Sequence, residues 1–93
     1  RWARSSWACV IFNLQVDHRP EDIELASHAF RRLIARALDQ SGSYFLTYCR
    51  FASSDQLRAA HPGIGEFLNA KARLDPEGRF QSECYRHIRG LLP

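Results

Sequence analysis

Trp7 to Val16, WACVIFNLQV, is the stretch that decides the fold class. Val10, Phe12, Leu14 and Val16 alternate with Cys9, Ile11, Asn13 and Gln15. In an extended chain side chains two apart point the same way, so the first set forms one apolar face. The second set forms a mixed face that turns polar toward its end. The pattern predicts a β-strand with a helix on its apolar face, and solvent or a partner on the other.

Asp17 to Arg19 is a connector, and Pro20 suits the first position of a helix. Glu21 and Asp22 complement the positive helix start. Ile23, Ala26, Phe30, Leu33, Ile34 and Ala37 recur at spacings of three and four, predicting an amphipathic helix to about Asp39. Arg31, Arg32 and Arg36 lie mostly off that stripe. They read as a solvated face before they read as a phosphate site. Gly42 is placed to end the helix in a left-handed cap.

Ser43 to Phe51 predicts a second strand. Phe45, Thr47, Cys49 and Phe51 face one way; Tyr44, Leu46, Tyr48 and Arg50 face the other. Ser53 with Gln56 forms a capping box for a short helix to about Ala60, broken by His61-Pro62-Gly63. Gly65 to Arg73 is a further amphipathic run, on which Phe67, Leu68, Lys71 and Leu74 share a side. The tail, LDPEGRFQSECYRH (Leu74 to His87), reads as helix end, turn and last helix. Asp75-Pro76 stops the helix, because the proline ring disfavours helical geometry at the residue before it. Gly78 permits a reversal, and Ser82 caps a helix with Tyr85 and Ile88 on one face.

The predicted fold class is therefore α+β, in the order β-α-β-α-α plus a tail. Two strands joined by a helix are parallel through a right-handed crossover. Two strands alone make a poor sheet, and a ferredoxin-like arrangement supplies the missing middle strand from elsewhere.

The chain has 93 residues, enough for one domain with a modest core. It opens on Arg1 and ends on Pro93, as expected of a piece of a larger protein. Hydrophobic residues are 45% and charged residues 25%, which excludes a disordered composition. The net charge of +3 is too small and scattered to argue for nucleic acid. No run approaches a membrane span. Cys9, Cys49 and Cys84 are odd in number and far apart, which fits a reducing, cytoplasmic compartment better than a disulfide framework. His18, His28, His61 and His87 show no metal-ligand spacing, and no phosphate-cradling glycine loop is present.

The ordered set EFLNAKARLDPEGRFQSECYRH resembles the C-terminal end of FAD-linked oxidoreductases of the vanillyl-alcohol oxidase family. GSYFLTYCRFASSDQLRAAHPGIGEFL resembles the strand and helices before that tail in the decaprenylphosphoryl-ribose oxidase branch and bacterial relatives. The resemblance covers the chain from about Cys9 onward. It implies a C-terminal substrate or cap domain laid over the isoalloxazine ring of FAD, with a small-molecule substrate between them. The N-terminal FAD-binding domain of the same parent chain would be the partner, and this part would not be active alone.

The implied substrate- or flavin-facing residues are Asn13, Gln15, Tyr44, Tyr48 and Arg50. Residues Arg79, Phe80, Gln81 and Ser82, in a tail from about Leu74 to Pro93, would return the chain to the FAD domain. The branch carries lysine where this chain has Tyr48 and often histidine where it has Cys49; Arg50 is the nearest substitute cation. The plainer reading of the first set is a solvent-facing strand surface, and of Phe80 a plug for the domain's own core. The alternative function is a stand-alone ferredoxin-like binding or oligomerisation module. It would stack single-stranded nucleic acid on Tyr44 and Tyr48, or self-associate through open strand edges.

Overall fold

A computed structural model describes residues 5–46 and 50–92 of the chain. The described residues form four helices and no strand: α1 (Pro20–Asp39), α2 (Ser54–Ala60), α3 (Ile64–Leu74) and α4 (Glu83–Leu91). The α+β, β-α-β-α-α expectation is thereby overturned, and the ferredoxin-like cap with it.

The reason lies in what a strand needs. Residues 6–17 do run without turn or bend, as their alternation predicts. Yet none of the backbone hydrogen bonds between described residues involves residues 5–18. Extended chain becomes sheet only when its N–H and C=O groups meet a neighbour, and none is in place among the described residues. The second predicted strand fares similarly. Residues 43–45 and 50–51 carry no regular structure, and Leu46 lies in a turn. The readings of Thr47, Tyr48 and Cys49 lie outside the described residues.

The helices follow their local chemistry. Pro20 opens α1, with Glu21 and Asp22 in its first turn. Ser53 accepts the Gln56 N–H at 3.2 Å, while the Gln56 side chain accepts the Ser53 N–H at 3.1 Å, completing the capping box of α2. Ser82 accepts the Tyr85 N–H at 3.1 Å and starts α4.

The close of α1 differs from expectation. The left-handed residue is Ser41, at φ 56°, not Gly42. Ser41 N–H bonds Leu38 O at 2.9 Å, and Gly42 N–H bonds Ala37 O at 2.7 Å. That pair of bonds is a Schellman motif with serine at the left-handed position. Glycine is needed one residue later for a steric reason: a Cβ on Gly42 would lie 2.8 Å from Ala37 O.

The main core is small. Leu57 of α2, Ile64 of α3 and Ile88 of α4 form it, with Tyr44, Leu46, Leu68, Cys84, Leu91 and Leu92 packed around. Tyr44 and Leu46, which the strand reading placed on an open sheet face, thus pack toward the helices. α1 leans on α2 and the segment before it. Phe30 stacks on Phe51 at 5.5 Å, Arg31 donates to Phe51 O at 2.7 Å, and Gln56 donates to Arg31 O at 2.8 Å. Ile34 and Ala52 are also buried. The radius of gyration is 14.7 Å. A compact chain of this length has about 12 Å, so mass lies far from the centre.

Candidate functional site

Three places carry chemistry or unusual exposure: the arm of residues 6–17, which has no turn or bend, the turn between α3 and α4, and the buried edge of His61.

The arm is the largest. Residues 5–16, SSWACVIFNLQV, hold no charged side chain in a chain that is 25% charged. Val10 and Ile11 are 71% and 80% exposed, and Trp7, Phe12 and Leu14 are exposed as well. Both faces of the arm are therefore open. Leu14 and Val16 meet Leu25, Ala26 and Ala29 of α1 only across a shallow groove of about 640 Å³. Asn13 and Gln15 are exposed on the arm. Apolar side chains single and scattered on a surface are ordinary, but a contiguous apolar run is a mark of association.

The α3–α4 turn is held by Asp75. Its carboxylate accepts the backbone N–H of Arg79 at 2.8 Å and of Phe80 at 2.9 Å. It also pairs with Lys71, whose ammonium sits 4.9 Å from the centre of the Tyr85 ring. Hydrogen bonding from Lys71 first, then from the Phe80 N–H, holds the Asp75 carboxyl down at about 2. Gly78, at φ 63°, turns the chain, and Gln81 donates to Gly78 O at 2.8 Å. Arg79, Phe80, Gln81 and Ser82 are all exposed, and Phe80 at 77% does not close the core. With Phe67, Lys71 and Tyr85 they line an open groove of about 420 Å³.

His61 follows α2 and packs edge-on to Tyr44, ring centres 5.1 Å apart. Its Nε2 is buried without a hydrogen-bond partner among the described residues. Burial pushes its pKa below the usual imidazole value, and a hydrogen bond to the Tyr44 backbone works the other way. Cys9 is an exposed free thiol, while Cys84 is half-buried against the core. No group of three His, Cys, Asp or Glu side chains gathers to hold a metal ion among the described residues.

The residues expected to share a flavin-facing sheet are not brought onto one. Asn13 and Gln15 ride the arm, Tyr44 packs against the helical core, Arg50 is exposed, and Tyr48 is outside the described residues. The roles assigned through the sheet fall with it: the cap over FAD, the substrate pocket beside the ring and the FAD-binding domain as partner. Stacking of nucleic-acid bases on a tyrosine sheet and self-association through strand edges fall for the same reason. No family model, curated protein or solved structure matches this chain.

Two features escaped the sequence reading. The backbone of the arm, rather than the side chains of its polar face, is what lacks a hydrogen-bond partner among the described residues. Its signal was an uncharged alternating run whose middle-strand neighbour is not visible in the sequence. The other is Asp75, read only as a helix stop. The D-P-x-G spacing was the clue that its side chain returns to the amides beyond the glycine.

Proposed function

We propose that this chain is a protein-docking module whose small helical body completes its apolar burial against a second folded protein. One observation carries the reading. The chain exposes 7811 Å². A compact monomer of its mass exposes about 5,500 Å², so the excess is about 2,300 Å². A standard protein–protein interface covers about 800 Å² on each partner. The excess is more than one such interface needs, and Trp7, Val10, Ile11, Phe12 and Leu14 of the arm are among the exposed large apolar side chains.

The composition of the arm supports the same reading. Interface cores are depleted of charge and enriched in aromatic residues. The arm has no charge and carries Trp7 and Phe12. The bodies of α1 and α4, with their arginines outward, match the polar rim instead.

Photo-crosslinking in the source cells tests this. With benzoylphenylalanine in place of Trp7, the chain is expected to give one dominant adduct with another protein. In place of Arg36, on the charged side of α1, it is expected to give none above background. Equal, diffuse adducts from both positions would contradict a specific docking surface.

A further inference from the structure

We infer that His61 is an acid-sensitive latch: a proton added at its buried Nε2 releases the linker around Tyr44 from the corner between α2 and α3, while the helices stay folded. The latch belongs to the helical body and is independent of the docking reading.

His61 sits where three pieces of the fold meet. Its N–H donates to Leu57 O at 2.9 Å and closes α2, and its carbonyl accepts the Ile64 N–H at 3.0 Å as α3 begins. Its backbone is thus pinned on both sides of the corner. Its ring meets Tyr44 edge-on, centres 5.1 Å apart, and Tyr44 packs with Leu46 against the core of Leu57, Ile64 and Ile88. Ser43 adds a hydroxyl bond to Ala60 O at 3.3 Å. The far end of the linker is held separately, by Phe51 stacked on Phe30 and by Arg31 donating to Phe51 O. The near end, around Tyr44, is the part in contact with the imidazole.

The ring is built to be neutral in this place. Nε2 is buried without a hydrogen-bond partner, and the bond to the Tyr44 backbone uses the other ring nitrogen. A buried lone pair left unpaired costs little beside a buried, charged N–H left unpaired. From the linker the ionisable group against His61 is Tyr44. The charged groups of α2, Asp55 and Arg58, are exposed, as is Glu66 in the first turn of α3; on α4, Cys84 and His87 are half-buried. None of these charges enters the balance on His61, which burial and the Tyr44 backbone bond decide between them. No carboxylate among the described residues therefore receives the new N–H, and water does so only when the ring and the linker part. The parted ring has the ordinary value of 6.5 and the closed ring a lower one, so acid drives the opening.

Proton NMR of the full chain between about pH 8 and about pH 4.5 tests the latch, with helix content followed by circular dichroism in the same samples. The His61 imidazole is expected to titrate below His18, His28 and His87. The cross-peak between the Tyr44 and His61 rings is expected to be lost in step with that titration, at unchanged helix content. A His61 that protonates with the ring contact intact would overturn the latch. So would a His61 that titrates with the other three, or one still neutral at the acid end. Loss of the contact only together with the helices would show global unfolding instead, and would overturn it as well. The wild-type curves decide this by themselves. His61→Phe then assigns the effect, since it keeps an aromatic ring and removes the titrating nitrogen. That variant is expected to hold its contact with Tyr44 across the whole range, and loss of the contact at the wild-type midpoint would place the switch in another group.

Discussion

Ser41 and Gly42 show how two adjacent residues divide one task. The Schellman close of α1 requires a left-handed residue and, just after it, a close approach of backbone to backbone. Serine occupies the first at φ 56°, where an L residue is strained by about 1–2 kcal/mol. Glycine occupies the second, 2.8 Å from Ala37 O by its absent Cβ. Ser41→Gly is therefore expected to stabilise the chain by about 0.5–1 kcal/mol, the relief of strain less the added freedom of the unfolded chain. Gly42→Ala is expected to destabilise it by about 1–3 kcal/mol. Urea midpoints of the two variants check both signs. The sequence pattern marked this corner correctly but exchanged the roles, because position relative to the last helical turn is what fixes them.

At the same scale, Asp75 and His61 contribute to the acid limb of stability, beside Glu83, whose carboxyl the Arg86 hydrogen bond holds below its ordinary value. The folded chain holds Asp75 at about 2, below its ordinary 3.8, so the unfolded chain takes up its proton first. Its contribution is present above about pH 4 and is lost as pH falls toward 2. His61 is also depressed in the folded chain, so below 6.5 the unfolded chain protonates while the folded one resists. That contribution is full above the ordinary imidazole value and declines as pH drops beneath it. Stability measured by denaturant at a series of pH values is expected to fall in an upper stage from His61 and a lower stage shared by Asp75 and Glu83. Asp75→Asn is expected to reduce the lower stage and His61→Phe to flatten the upper.

Among the elements, the helices were legible and the strands were not. α1, α2 and α4 begin where Pro20, Ser53 and Ser82 place them, and α3 ends before Asp75-Pro76. Caps and breakers act within one turn, so a local reading reaches them. A strand is a relation between two segments, and WACVIFNLQV shows an intrinsic preference without its partner. The flavin site was inferred across that missing relation and does not survive it. The arm and the core thus differ in what they contribute. Val10→Asp and Ile11→Asp are expected to change stability by less than about 0.5 kcal/mol, since both side chains are already in water. Leu57→Ala, at the most buried position of the core, is expected to cost about 2–5 kcal/mol. Thermal melts of the three variants side by side test the contrast.

At the scale of the whole molecule, a few buried apolar side chains hold three short helices, with α1 laid alongside. An uncharged arm runs beside α1, its backbone making no hydrogen bond to another described residue. Such a chain exposes more surface than its mass warrants, and the missing burial is what a partner would supply. Amide hydrogen exchange of the free, monomeric chain is the most direct measurement. Residues 6–17 are expected to exchange at nearly the rate of an unstructured peptide, while the central amides of α1 and α4 are protected. Protection of alternate arm amides to the level of the helices in the free chain would show a sheet formed within the chain itself, and would contradict the docking module.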